Sequence, residues 1–256
     1  MDFSGDALSI LLSFVAVGFV AQLVDGALGM AYGVISSTLL IAMGVSPKHA
    51  SAGVHAAETF TTAVSGLSHI YHRNIDWRLF VRLAVPGVIG GVAGATLLSN
   101  IDSSLVKPYI QAYLAGIGLW LIWRSTHTLK KSGNPRVVTP LGLIGGFLDA
   151  SGGGGWGPVV TSNLLLQGGD PRTTIGTVNT AEFLLTLSVS LTFLVNLGWE
   201  TFTTATTGLL LGGVIAAPMG ALLAKRIPAN RLLLLVGLVL TATSAYGIAR
   251  SQHWIG

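Results

Sequence analysis

Two glutamates stand where charged residues are rarely found, inside long apolar stretches. Glu58 lies within residues 50–71, and Glu182 lies within residues 175–197. A charged side chain at the centre of a bilayer costs about 2.5–3.5 kcal/mol on insertion scales, so such a residue is a functional candidate. We predict that each glutamate either carries protons or braces a neighbouring broken helix, and the residue types leave both options open.

Other polar residues recur at helical spacing around each glutamate. His55 and Thr62 lie about one turn on either side of Glu58, and Asn179 and Thr186 do the same around Glu182. This spacing places each set on one helical face. Because a histidine changes its charge near neutral pH, His55 is a third candidate proton carrier.

Glycine-rich turns interrupt two further apolar stretches. Residues 147–162 read "FLDASGGGGWGPVVTS", and residues 25–33 read "DGALGMAYG". Irregular backbone at membrane depth persists only where it is buried in protein or lines a wet cavity. A helix that starts after such a turn directs N–H groups and the positive end of its dipole at it, which favours an anion.

We therefore predict a site for a small anion between the two turns. Asp25 and Asp149 are expected to cap these turns rather than to carry protons. The predicted substrate-binding residues are Gly29, Met30, Gly33, His55, Gly153, Gly154, Gly155, Trp156, Gly157 and Asn179. We expect no metal and no cofactor.

The composition indicates a membrane protein. The 256 residues are 51% hydrophobic and only 9% charged, whereas soluble domains carry about 25% charged residues. The mean hydropathy is +0.70. The net charge of +4 comes from basic residues scattered in short loops, so nucleic acid is not expected as a partner. Without cysteine, disulfides and thiolate chemistry are excluded.

The apolar segments predict an all-α polytopic protein with ten helical elements. The first five cover residues 7–24, 27–44, 50–71, 79–99 and 105–123, and the other five cover 141–150, 156–166, 175–197, 202–224 and 232–249. Residues 141–150 would span about 15 Å as a helix, against a hydrocarbon core of about 30 Å. Re-entrant hairpins and full spans remain open for the first pair of elements in each half.

The two halves of the chain resemble one another. A shift of 124 positions superposes Asp25 on Asp149, Glu58 on Glu182 and Pro47 on Pro171, with no gap. Five elements per half would invert the second repeat relative to the first. We predict one transmembrane domain, with repeat one at 7–124, a cytoplasmic linker at 125–139 and repeat two at 140–250.

The basic residues predict the orientation. They cluster after the third, fifth, seventh and ninth elements, and the clusters include Arg73, Arg124, Arg172 and Arg226. The positive-inside rule then places these loops in the cytoplasm and both termini outside.

Paired motifs in the two halves resemble the TauE/SafE family. They are "DGALGMAYG" and "DASGGGGWGP", then "GVSPKHASA" and "GGDPRTTIG", then "VHAAE" and "VNTAE". This family is named for sulfite export and is also called the toluene-sulfonate uptake permeases. The resemblance implies transport of a small sulfur oxyanion or organosulfonate, such as sulfite or sulfoacetate, across the bacterial inner membrane.

We accordingly predict a secondary transporter that works by alternating access, with proton coupling as an option. The chain has no nucleotide-binding motif. The alternatives are an intramembrane serine hydrolase, for which Ser65 and His69 supply the residue types, and a passive anion channel. Expected partners are the anion and the lipid bilayer, and the oligomeric state is left open.

Overall fold

The computed structural model describes residues 3–28, 30–127, 136–199, 204–226 and 229–251. Within these ranges the chain is helical and contains no strand. Most of the predicted linker, residues 128–135, lies outside the described residues. The fold class is thus all-α, as the apolar segments predict.

Five α-helices make up the first half of the chain. They are α1 (Phe3–Leu28), α2 (Tyr32–Ala42), α3 (Pro47–Tyr71), α4 (Trp77–Asn100) and α5 (Ser103–Ser125). The predicted second element, 27–44, was too long, because α1 continues through Leu28 and the chain breaks only at Met30 and Ala31. As a result α2 has only 11 residues and spans about 17 Å.

The second half repeats this order with one irregular element. It contains α6 (Thr139–Gly152), a π-helix (Trp156–Thr161), α7 (Ser162–Leu166), α8 (Pro171–Leu197), α9 (Thr204–Arg226) and α10 (Ala229–Ser251). Pro158 lies in the first turn of the π-helix, where proline is tolerated because its missing N–H would have no partner within the helix.

Several helices are long and apolar enough to cross a bilayer. Among the described residues, four stretches meet this description: Leu8–Asp25, Trp77–Asn100, Ser104–Ser125 and Arg172–Leu197. Three shorter apolar helices are Tyr32–Ala42, Ala205–Ala216 and Leu233–Ala249. Large apolar side chains such as Val64, Leu67 and Val85 point outward. The protein is therefore a multi-pass membrane protein.

Glycines bring the main helix pairs into backbone contact. In the packing of α4 on α6, Gly90 lies against Leu143 O and Gly146 lies against Gly87 O. Gly18 and Gly212 do the same between α1 and α9, and Gly118 meets Gly237 between α5 and α10. Small residues allow such close packing in lipid, where water does not drive helices together.

The helix pairing places α3 and α8 at the centre. These two helices pack on each other, α8 also packs on α4, and α3 also packs on α9. Thr62 Oγ1 lies 3.3 Å from Thr186 Oγ1, and Thr59 Oγ1 lies 3.2 Å from Ser190 Oγ. The polar faces predicted around the two glutamates therefore meet each other inside the helix bundle.

Candidate functional site

An aspartate closes each of the two helix breaks. Asp25, in the last turn of α1, accepts a hydrogen bond from Tyr32 N at 3.2 Å through Oδ1. Asp149, in the last turn of α6, accepts one from Trp156 N at 2.8 Å through Oδ1. Both bonds reach seven residues forward, across the break. Each carboxylate thereby satisfies an N–H at the start of the next helix that has no partner within that helix.

The two breaks have unusual backbone conformations. Gly153 has φ 75° and Gly154 has φ 141°, which glycine adopts without a Cβ penalty. The first break has Ala31 at φ 129°, a conformation that side chains rarely adopt. Gly29, a predicted binding residue, lies outside the described residues.

The two breaks lie against each other. A Cβ built on Gly33 would lie 3.2 Å from Gly154 Cα, and one built on Gly157 would lie 2.7 Å from Met30 Cβ. The two contacts are equivalent under the 124-position shift, which pairs Gly33 with Gly157 and Met30 with Gly154. The bare backbone at Gly33, Gly154 and Gly157 is therefore required for this close approach.

Four carboxyl groups line one small cavity between the breaks: Asp25, Glu58, Asp149 and Glu182. Its volume is about 20 Å³, which is room for about one water molecule. Thr61 and Thr62 also line it. No lysine or arginine of the described residues lines it. Two larger clefts, of about 210 and 410 Å³, are mainly apolar and contain none of the four acids.

The two glutamates differ in their surroundings. Glu58 is only 6% exposed, and its carboxylate accepts a hydrogen bond from Gly33 N–H. Its Oε1 would lie 3.2 Å from a Cβ built on Gly33. Glu182 is partly exposed, and no hydrogen bond joins its carboxylate to another described residue. Both glutamates line the cavity, and Glu58 also contacts the first break directly.

His55 is fully buried next to the second break. Its Nε2 lies 2.9 Å from Asp149 Oδ2, and its Nδ1 lies 2.8 Å from Ser51 O. The Ser51 hydroxyl donates to Ala150 O at 2.7 Å. These bonds tie α3 to the end of α6, a contact between residues 94 positions apart in the chain.

The predicted site residues divide into two groups. Gly33, Gly155 and Gly157 line the cavity together with the four acids. The second group does not line the cavity but lies at the breaks or in contact with them: Met30, Gly153, Gly154 and His55. Met30 Sδ accepts a hydrogen bond from Ser162 Oγ at 3.4 Å.

Two predicted residues face elsewhere. The Trp156 indole is fully buried, donates from Nε1 to Val178 O at 3.3 Å, and lies against Gly87 of α4. Asn179 donates to Ser65 Oγ at 3.3 Å and does not line the cavity. Trp156 contributes its backbone N–H to the second break, not its ring to the cavity.

Other residues at the site were not predicted. Tyr113 of α5 donates from its hydroxyl to Gly154 O at 3.0 Å. Tyr32 donates to Leu209 O at 3.1 Å and lines the cavity. The 124-position shift pairs Tyr32 with Trp156 and could have identified it. Nothing in the sequence around Tyr113 indicated its role.

Ser65 and His69 do not form a catalytic pair. Ser65 Oγ accepts its bond from Asn179, and His69 Nδ1 lies 3.4 Å from Asn74 Nδ2. A nucleophile needs a hydrogen-bonded base. This geometry gives no support to the serine hydrolase alternative.

Broken helices that meet inside a bundle of apolar helices, around a polar cavity, are the arrangement of many polytopic membrane transporters. The profile of the sulfite exporter TauE/SafE family matches residues 14–247, and the chain belongs to this family. It is a family of transporters, not enzymes.

Named relatives agree with this assignment. The chain is 43% identical over 236 residues to the probable membrane transporter protein YtnM of Bacillus subtilis, covering 89% of this chain and 79% of the relative. It is 27% identical over 252 residues to a probable membrane transporter protein of Xylella fastidiosa, covering 92% of each. No solved structure matches the chain significantly.

Proposed function

We propose that the protein is a secondary transporter that moves a small sulfur oxyanion or organosulfonate across the bacterial inner membrane by alternating access. The observation that carries this proposal is the meeting of the two helix breaks around the cavity at Glu58 and Glu182. Family membership supports transport, and the family name supports a sulfite-like substrate.

The proposed mechanism uses two inverted repeats. The Thr62–Thr186 contact joins two residues 124 positions apart, so a pseudo-two-fold axis would pass through it. The Gly33–Gly154 and Gly157–Met30 contacts would be exchanged by the same axis. Inverted repeats of this kind allow one half of a transporter to rock against the other around a fixed site.

The proposed arrangement is a single transmembrane domain. Repeat one covers 7–124, the cytoplasmic linker 125–139 and repeat two 140–250, with both termini outside the cell. Arg73, in the loop before α4, and Arg172, at the start of α8, would then face the cytoplasm, as the positive-inside rule requires.

The four acids make proton coupling part of the proposal. An anion that approaches ionised carboxylates is repelled, and the repulsion is strong where little water is present. Protonated carboxyl groups instead donate hydrogen bonds to an oxyanion. Glu58 and Glu182, which line the cavity, would therefore bind protons together with the anion, so that the anion and the protons move together.

The cavity must enlarge during transport. At about 20 Å³ it holds about one water molecule, whereas an oxyanion such as sulfite has four heavy atoms. The structure therefore represents a closed conformation, in which the cavity is too small for the anion. Separation of the Gly33–Gly154 and Gly157–Met30 contacts would open it.

Uptake into proteoliposomes tests the proposal. We expect saturable uptake of sulfite or sulfoacetate, stimulated by a pH gradient, and no comparable uptake of acetate. The same anions should raise the apparent melting temperature of the purified protein, because a ligand of the folded state stabilises it. Uptake that never saturates would instead indicate a channel. No uptake and no thermal shift with any sulfur oxyanion would refute the substrate class.

A further inference from the structure

The hydrogen bonds of His55 determine where its protons lie. Nδ1 is 2.8 Å from Ser51 O, a carbonyl that can only accept. Its other neighbour, Ser51 Oγ at 3.3 Å, has one proton, and that proton is donated to Ala150 O at 2.7 Å. Neither neighbour can donate to Nδ1. Nδ1 therefore carries a proton.

The second ring nitrogen then requires one further proton. Nε2 lies 2.9 Å from Asp149 Oδ2. A neutral imidazole protonated at Nδ1 has only a lone pair at Nε2, and an ionised carboxylate has only lone pairs. A proton must lie between these atoms, either on Asp149 or on an imidazolium. In both cases the pair is electrically neutral and holds one removable proton.

The surroundings favour retention of this proton. Among the described residues, the titratable side chains nearest Asp149 are acids or a tyrosine: Glu58 on α3, Glu182 on α8 and Tyr113 on α5. Asp25 on α1 and Tyr32 on α2 line the same cavity as Asp149. His55 also packs near the Phe193 ring, with centroids 6.3 Å apart. Loss of the proton would leave a net negative charge on the buried His55–Asp149 pair, close to other carboxyl groups.

Among the residues that the structure describes, only those at the second break include such a pair. The residue 124 positions after His55 is Asn179, which cannot bind a proton, and it donates to Ser65 instead of reaching Asp25. The other carboxylate oxygen of Asp149, Oδ1, accepts a hydrogen bond from Trp156 N. Any change in the His55–Asp149 bond therefore acts on the start of the helix after the second break.

We propose that His55 and Asp149 form a proton-binding site whose proton is released and rebound in each transport cycle. Release requires Nε2 and Oδ2 to separate, so α3 must move away from the end of α6. This inference rests on the proposed transport function and adds a site beyond Glu58 and Glu182. The site joins the two halves of the molecule, because His55 lies on α3 and Asp149 lies on α6.

A nitrogen-15 NMR experiment tests the resting state of the pair without any substrate. The full chain is labelled at histidine, in a variant whose other histidines, His49, His69, His72, His127 and His253, are replaced by glutamine. We expect His55 Nδ1 to be protonated. A neutral ring with its only proton on Nε2, paired with an ionised Asp149, would overturn the proposal.

Asp149→Asn tests the role of the proton in transport. The amide oxygen still accepts from Trp156 N, and the amide nitrogen donates to Nε2, so every bond is kept while the removable proton is lost. The probe is methanesulfonate, whose single charge does not change between pH 5 and 9. Each proton that moves with the anion contributes up to about tenfold to the accumulation driven by a gradient of one pH unit, and we expect such gradient-driven accumulation in the wild type.

In Asp149→Asn, which loses one of the proposed proton sites, we expect the ratio of accumulation with and without the gradient to fall by up to about tenfold relative to the wild type. The control is His72→Gln, an exposed histidine at the end of α3, which should keep the wild-type ratio. A full pH response in Asp149→Asn would overturn this inference and leave the proposed transport intact. A wild type that carries the anion but ignores the gradient would also overturn it. Failure of the proposed function would appear separately, as no uptake of any sulfur oxyanion by the wild type.

Discussion

At the scale of single residues, both carboxylate oxygens of Asp149 are occupied. One oxygen accepts from the backbone of Trp156 and the other pairs with His55. Its counterpart Asp25 accepts from Tyr32 N at the longer distance of 3.2 Å, and the corresponding Asn179 bonds elsewhere. Asp25 and Asp149 occupy matching positions in the two halves but have different bonding partners. The difference arises because the partners lie on other helices.

The role of Glu58 can be resolved by two substitutions. Glu58→Ala leaves the buried Gly33 N–H without its partner, which should cost about 1–3 kcal/mol of stability. Glu58→Gln keeps an acceptor for that N–H and should retain most of the stability. Thermal unfolding in detergent measures both, and Glu182→Ala, which breaks no bond to a described residue, is the matched control.

Uptake assays then separate the two roles proposed for Glu58. If it carries a proton, Glu58→Gln should be stable but should lose at least half of the pH-driven accumulation. If it only braces the break, Glu58→Gln should transport like the wild type. Full activity of Glu58→Gln would therefore exclude this residue from coupling.

Ala31 holds a conformation that glycine adopts more easily. Its φ of 129° should cost on the order of 1–3 kcal/mol, against less than about 1 kcal/mol for the extra freedom that glycine has when unfolded. Ala31→Gly should therefore raise the melting temperature. Ala57→Gly, the same change within the regular helix α3, should lower stability by about 1 kcal/mol. A lower melting temperature for Ala31→Gly would contradict the expected strain.

At the scale of elements, the two short helices after the breaks have different forms. Residues 32–42 form a regular α-helix, whereas residues 156–161 form a π-helix before α7 begins. The sequence difference is Pro158, which stands where the first half has Val34. Pro158 lies in the first turn, where an N–H has no partner within the helix and proline is tolerated, so it does not by itself account for the wider turn.

Glycine contacts set the rotation of each helix about its axis. Gly90 lies against Leu143 O of α6, so Gly90→Ala should push α4 and α6 apart and cost about 1–3 kcal/mol. Gly116 on α5 has no atom within 4 Å of a built Cβ, so Gly116→Ala should be neutral or stabilising. The melting temperatures of the two variants in detergent provide the comparison. Equal effects would contradict the backbone contact.

At the scale of the whole molecule, the proposed orientation makes opposite predictions for the two ends of α4. His72 and Asn100 are both exposed, on either side of this helix. The chain has no native cysteine, so a single introduced cysteine gives an unambiguous signal. With intact cells and a membrane-impermeant maleimide, Asn100→Cys should be labelled. His72→Cys should be labelled only after the cells are permeabilised, and the reverse pattern would invert the proposed topology.

The long spans, the two glycine breaks and the buried acids could all be predicted from the sequence. These features follow from local properties, namely the length of apolar stretches, the conformational freedom of glycine and the cost of charge in lipid. The start of α2 was misplaced because Ala27 and Leu28 are as apolar as the helix that follows. The glycines of residues 25–33 marked the first break as a region, but no local signal placed it at Ala31 itself.

Tertiary structure alone decided which side chains meet. The pairing of His55 with Asp149, the bond from Tyr113 to Gly154 O and the bond from the buried Trp156 ring to Val178 O all join different helices. Such partners depend on how each helix is rotated and how closely it approaches its neighbours. The backbone contacts at Gly33, Gly90 and Gly154 set both. The sequence thus located the acids within or beside apolar stretches, and the packing determined which of them pairs with a histidine.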